Sequence, residues 1–393
     1  MRVVMVSDVY FPRVNGVSTS IETFRRTLSA HGVEVTLVVP RYGDEADEPG
    51  IIRVAGRPVP GDREDRLVGW RAMHRAALVA AQDCDLVHVQ TPFIAHYAGL
   101  KAARTLGLPV VATYHTLFEE YLQHYAKLIP AGWLRGQARG FSRRQCNQLD
   151  AVIVPSTAMR QRLDSYGVQS PMHVLPTGIP MAQFAGGSGA RFRQQFGIDK
   201  ERPMALFVGR VAHEKNIGFL LEALVHARQL KPETLLVIAG EGPAMADLKA
   251  QTAALGLQAS VLFIGYLDRK QALPDCYAAA DVFVFASRTE TQGLVLLEAM
   301  AAGVPVIALS EMGTTDILSP GRGAFSPPVD PHAFGEVLGR FLNQPEAWKH
   351  LRTEAPIYAQ EWSDDAMAER LARLYRDCVD LKIGQKLPLT AAA

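Results

Sequence analysis

Two glutamates, Glu290 and Glu298, stand eight residues apart in Thr289-Glu-Thr-Gln-Gly-Leu-Val-Leu-Leu-Glu298, with Gly293 between them. The segment continues into Ala-Met-Ala-Ala-Gly-Val-Pro-Val-Ile, which predicts a loop that turns into a helix at Gly293. A helix N-terminus presents free backbone N–H groups and a partial positive charge, which suits a phosphate. A carboxylate just before that terminus, and another about two turns inside, can accept hydrogen bonds from hydroxyls on either side of a diphosphate. A nucleotide sugar has that layout. An ordinary amphipathic helix with two solvated glutamates would show the same letters.

A diphosphate also needs cations. Gly209-Arg210-Val-Ala-His-Glu-Lys215-Asn216 follows the apolar run Ala205–Val208. Arg210 and Lys215 there can neutralise two phosphates, and an arginine can do so with a bidentate fork. Gly209 permits a tight turn, and Asn216 is expected to cap the next helix. In the first half, Asn15-Gly16-Val17 can bring bare backbone close to a phosphate, and Thr19 with Glu22 fits a capping box. His115 follows the run Val110–Thr113, whereas His88 lies inside Leu86–Val89 and reads as a core histidine. Gly240-Glu-Gly-Pro243 lacks the full GxGxxG dinucleotide pattern and reads as a helix start.

These residues need strands to place them. Short Val/Ile/Leu-rich runs without strict alternation recur at Val3–Val6, Val35–Val39, Leu86–Val89, Val110–Thr113 and Ala151–Val154. They recur again at Ala205–Val208, Leu235–Ala239, Val261–Ile264, Val282–Phe285 and Val304–Ala308. Such runs suit strands buried on both faces, and their alternation with helical patterns implies right-handed βαβ units. The fold class is therefore α/β, with two doubly wound domains facing across a cleft. Ligands of such sheets bind at the carboxyl ends of the strands, where the singled-out residues lie. The domains are expected at 1–180, joined by a C-terminal helix at about 363–385, and at 181–362. The Gly-rich stretch Gln183–Ala190 reads as the linker, within about 176–200.

Composition narrows the classes. With 393 residues, 48% of them apolar, the chain is long enough for two cores. The net charge is +1, which gives no reason to expect a nucleic-acid partner. Cys84, Cys146, Cys276 and Cys378 are scattered without metal-ligand spacing, which fits a reducing cytoplasm and no bound metal. Neither a signal peptide nor an 18-residue apolar run is visible. The segment 127–144, with Trp133, Leu134, Ala138 and Phe141 at helical spacing among Lys and Arg, is a candidate for contact with an anionic membrane surface. A helix packing that stripe on its own domain is the alternative.

Taken together, Gly209-Arg210, Glu214-Lys215-Asn216, Gly240-Glu-Gly-Pro243 and the E-x7-E element Glu290–Glu298 resemble the retaining glycosyltransferases of family 4, which have the GT-B architecture. The family pattern usually has Phe two residues after the first Glu; here Gln292 stands there. Thr-Glu-Thr-Gln-Gly and the segment Tyr114–Tyr125 look more like bacterial diacylglycerol glucosyltransferases and plant sulfolipid synthase. The resemblance implies transfer of a hexose from a nucleoside-diphosphate sugar, taken as UDP-glucose, to a lipid hydroxyl such as that of diacylglycerol. It implies retention of configuration, no metal and no further cofactor. By the same resemblance Arg210 and Lys215 bind the diphosphate, and Glu298 holds the ribose. Glu290 contacts the donor sugar, and the backbone of Gly293 and Leu294 completes the phosphate cradle. Gly16 lies under the phosphate from the opposite domain, and His115 sits near the reacting end of the sugar. The enzyme is expected in the cytoplasm, peripheral on the inner face of the plasma membrane. A GDP-mannose donor, or a soluble or polyprenyl-linked acceptor, remains open. So do an epimerase, a phosphorylase and a non-catalytic two-lobed binding protein.

Overall fold

The computed structural model describes residues 1–59, 62–115 and 131–386. Most of the Tyr114–Tyr125 segment and the start of the 127–144 segment lie outside the described residues. The chain divides into two compact units, Met1–Gly178 with Asp364–Ala393, and Ile179–Ser363.

The first unit is built on an eight-stranded sheet in the order β4-β3-β2-β1-β5-β6-β7-β8. The strands are β1 (Arg2–Val6), β2 (Glu34–Arg41), β3 (Ile51–Val59), β4 (Asp62–Val68), β5 (Leu86–Val89), β6 (Val110–Thr113), β7 (Ala151–Val154) and β8 (Met172–Val174). All neighbours are parallel except β3 and β4. Val3, Val4, Met5 and Val6 of the central strand are all buried, as a strand covered on both faces requires. The helix Asp364–Lys386 returns to this unit. Its residues Met367, Ala368, Leu371, Ala372 and Tyr375 recur at helical spacing and share a core with Val3, Ile21 and Leu28.

The second unit holds six parallel strands in the order β11-β10-β9-β12-β13-β14. These are β9 (Met204–Val208), β10 (Leu235–Ala239), β11 (Val261–Gly265), β12 (Val282–Phe285), β13 (Val306–Ala308) and β14 (Ala324–Phe325). In each sheet the strand order reverses once, at β1/β5 in the first and at β9/β12 in the second. Ligands of open α/β sheets bind at those switch points, beyond the carboxyl ends of the strands.

Four expectations need correction. The Gly-rich stretch is no free linker: it forms the helices Met181–Ala185 and Gly189–Gln195, and Phe184 and Phe192 are buried in the second unit's core. Two buried aromatic rings outweigh the local glycine content, each contributing about 2–3 kcal/mol by burial. The capping box is not Thr19/Glu22. Asn15 caps the helix Gly16–Leu28 by accepting from Ser18 N–H, and the Ser18 hydroxyl accepts from Asn15 N–H. Glu22 instead accepts from Tyr10 and Arg25. Asn216 stands at the start of the helix Ile217–Leu230 but its side chain makes no capping bond: its backbone is left-handed, with φ 54° and ψ 37°, and its amide NH2 donates to the carbonyl of Ala286. The run at Val304 enters its strand only at Val306.

Candidate active site

In the second unit the loops after β9 and β12, neighbours at the switch point, carry the charged residues. Lys215 Nζ donates to Glu290 Oε1 at 2.5 Å, and Asn216 Nδ2 donates to Ala286 O at 3.2 Å. Ser287 Oγ also donates to Glu214 O at 3.4 Å, so the two loops are tied three times. Arg210, in contrast, is exposed, and its guanidinium has no ion-pair partner among the described residues. The loop after β10 supports this arrangement. A Cβ on Gly240, where φ is 138°, would meet Gly209 O at 1.9 Å, so only glycine lets the two turns touch. That contact holds the turn that carries Arg210.

The helix Leu294–Ala301 opens at Gly293, whose φ of 92° and ψ of 44° are left-handed. No side chain caps this helix, so its first N–H groups are left for another acceptor. Glu298 lies about one turn inside and is buried. Tyr277 O–H donates to one of its oxygens at 2.8 Å, and Arg269 Nη2 donates to the other at 2.5 Å. Burial, and then the neighbouring Glu298 charge, hold the Tyr277 phenol well above its ordinary range, so it stays a donor. Two donors on the carboxylate still leave lone pairs for ligand hydroxyls. Sequence reasoning missed Arg269 and Tyr277, since only the fold brings them to Glu298. Gln292 is buried beside the helix start.

In the first unit the residues after β1 and β5 meet at the other switch point. The Asp8 carboxylate accepts from Thr91 Oγ1 at 2.7 Å and from Ala95 N–H at 3.0 Å. It thereby caps the helix Ile94–Leu106, whose own leading residue, Phe93, offers no capping side chain. Burial pushes the Asp8 pKa up to about 6, against the pull of these hydrogen bonds. His115 Nε2 lies 3.0 Å from Gln90 Oε1, and burial lowers the imidazole pKa to about 4, so the ring is neutral at physiological pH. Sequence reasoning also missed Asp8 and Gln90. Their signal was position: each is among the first polar residues past a strand of the switch point.

A cavity of about 620 Å³ opens in this unit. Apolar side chains such as Val17, Leu67, Phe93, Tyr97 and Phe141 form much of its wall, and Asp8, Gln90 and His115 also line it. Gly16 begins a helix at the edge of this region, between the lining residues Asn15 and Val17. The helix Ala131–Cys146 turns Ala138 and Phe141 inward, the first into the protein and the second to the cavity wall, while Arg143 and Arg144 face solvent. The side chains of Trp133 and Leu134 lie outside the described residues.

Comparison with known proteins identifies the family. The sequence profile for "Glycosyltransferase Family 4" matches residues 14–183, and that for "Glycosyl transferases group 1" matches residues 189–362. The chain is 32% identical to an alpha-monoglucosyldiacylglycerol synthase of Streptococcus pneumoniae, over 96% of this chain and 86% of that one. It is 30% identical to a GDP-mannose-dependent alpha-mannosyltransferase of Mycobacterium tuberculosis, over 91% and 90% of the two chains. Sucrose-phosphate synthase of Thermosynechococcus elongatus shares the fold, with a TM-score of 0.78 at 20% identity, over 97% of this chain and all of that one. Two α/β units, charged loops at their switch points and profiles that together span nearly the whole chain lead to one conclusion: this protein belongs to glycosyltransferase family 4, with the GT-B fold.

Proposed function

We propose that this glycosyltransferase moves glucose from UDP-glucose to the hydroxyl of a diacylglycerol-type lipid, retaining the anomeric configuration and using no metal. The observation that carries the donor half is the constellation at the β9/β12 switch point. There Arg210, the Lys215–Glu290 pair and the uncapped helix start at Gly293 stand on two loops tied to each other. Arg210 and Lys215 take the diphosphate, helped by the N–H groups at Gly293 and Leu294. Lys215 has three N–H donors, so it can hold Glu290 and a phosphate together. Glu298 accepts from the ribose hydroxyls and Glu290 from the sugar. Gly16 leaves bare backbone for a phosphate, and His115 serves the reacting end of the sugar, positioning it or assisting the acceptor.

Support for a lipid acceptor comes from the Streptococcus pneumoniae relative and from the apolar cavity of the first unit. In the proposed step the acceptor oxygen attacks the anomeric carbon on the face from which the diphosphate leaves. The bond from that carbon to the phosphate oxygen breaks, and the departing phosphate takes the acceptor's proton. Glu290 then acts as a binding group. Among the described residues no helix is long and apolar enough to cross a membrane. We place the enzyme on the cytoplasmic face of the plasma membrane, with Arg143 and Arg144 of the 127–144 segment toward anionic lipid.

The test is transfer from UDP-glucose to diacylglycerol in vesicles, with and without anionic lipid and EDTA. We expect an α-linked glucolipid whose formation resists EDTA and rises with anionic lipid. A β-linked product or loss of activity with EDTA would refute the mechanism. Transfer only to a water-soluble acceptor would refute the lipid reading. The Mycobacterium tuberculosis relative makes GDP-mannose the second donor to run.

A further inference from the structure

Five buried or half-buried side chains of the first unit form one hydrogen-bonded network. Tyr375, on the helix Asp364–Lys386, has its hydroxyl 2.6 Å from His88 Nδ1. Gln90 Nε2 lies 3.1 Å from the same nitrogen, and His88 Nε2 lies 2.8 Å from Thr113 Oγ1. The network ends at His115, whose Nε2 is 3.0 Å from Gln90 Oε1.

The protons can be assigned from one end. Tyr375 is fully buried, and His88 is the hydrogen-bond partner of its hydroxyl. A buried O–H without an acceptor is costly, so the phenol donates and His88 Nδ1 carries the lone pair. The His88 proton is then on Nε2, where it donates to Thr113. Gln90 must turn its NH2 toward the same lone pair, which leaves Oε1 toward His115. An amide oxygen only accepts, so His115 is protonated on Nε2. Its Nδ1, which has no hydrogen bond among the described residues, is left as an acceptor on a side chain that lines the cavity.

From this we infer that Tyr375 and Gln90 are positioning residues that fix His115 in the Nε2–H tautomer, so that Nδ1 receives a hydrogen bond from a hydroxyl of the substrate in the cavity. The proton assignment stands on geometry alone; its effect on rate rests on the function proposed above. The opposite tautomer would offer that hydroxyl a donor where it needs an acceptor, and a wrong histidine tautomer costs a serine protease about 10⁴ in rate.

Ring nitrogen shifts of the full-length, [15N]histidine-labelled protein report tautomers directly. Wild type should show Nε2–H for both His88 and His115. Tyr375→Phe frees His88 and should leave both rings as mixtures. Gln90→Glu still presents an acceptor and should keep His115 at Nε2–H, whereas Gln90→Met should not. kcat should fall at least roughly tenfold in Gln90→Met and less in Gln90→Glu, with the donor KM little changed. Wild-type His115 protonated on Nδ1, or tautomers unmoved by Tyr375→Phe and Gln90→Met, would overturn the inference. Tautomers that respond while kcat does not would uphold the proton line and remove His115 from the proposed chemistry.

Discussion

Arg210 and Lys215 carry the same charge five residues apart, yet the fold treats them differently. Lys215 is fastened to Glu290, while the Arg210 guanidinium stands in solvent without an ion-pair partner among the described residues. Arg210→Ala should therefore leave stability within about 0.5 kcal/mol of wild type, the usual range for an exposed substitution. It should lower kcat/KM by roughly 10²–10³, the usual loss for a missing electrostatic stabiliser. Steady-state rates and Tm on the same preparation separate the two effects. Much of this candidate site could be picked out as letters, because Glu290, Arg210 and Lys215 follow strands and Glu298 lies in the helix that opens at Gly293. The partners were not legible: Arg269 and Tyr277 reach Glu298 across 29 and 21 residues of sequence.

At the scale of elements, the turns decide how close a ligand can come. Gly16 needs no left-handed backbone, and a Cβ added there would meet nothing within 4 Å. Gly16→Ala should thus leave the helix Gly16–Leu28 as stable as before, or up to about 1 kcal/mol more so. If bare backbone faces a phosphate there, activity should still fall, roughly 10²-fold for a misplaced ligand. Unchanged kinetics would remove Gly16 from the donor site. Gly240→Ala is the contrasting case. It should cost roughly 3 kcal/mol and lower activity, because the Arg210 turn must move away from the new methyl. Chemical denaturation and donor Kd would show both effects. Ten apolar runs in the sequence marked ten of the described strands, because strands largely covered on both faces cannot avoid hydrophobic residues. The hairpin of β3 and β4 escaped notice. As an edge pair it can hold Arg53, Arg57, Asp65 and Arg66, and it carries no apolar run. The short strands β8 and β14 offered too few residues to show a pattern.

For the molecule as a whole, the two units should respond differently to acid. Burial lowers the pKa of His88 to about 3 and those of His96 and His115 to about 4, and all three lie in the first unit. Unfolded, each would titrate near 6.5. The unfolded chain therefore takes up protons first. The stability is complete above pH 6.5 and is lost as pH falls toward 4, at about 1.4 kcal/mol per pH unit for each histidine. Asp8 works the other way below pH 6, since its folded form binds a proton first and offsets one histidine. The net sign is destabilisation. Hydrogen exchange at pH 7 and pH 5 should show protection lost in residues 1–178 before residues 179–363. Equal loss in both units would contradict the buried, neutral assignment. The helix Asp364–Lys386 completes the first unit, although Ile179–Ser363 stands before it in the chain. On the ribosome the second unit can therefore finish folding while the first still waits for Tyr375. Until that helix emerges, the groove that receives Met367, Leu371 and Tyr375 stays open to water and to chaperones. His88 likewise lacks its phenol until then, so the proposed His115 acceptor is set only once that helix has been made.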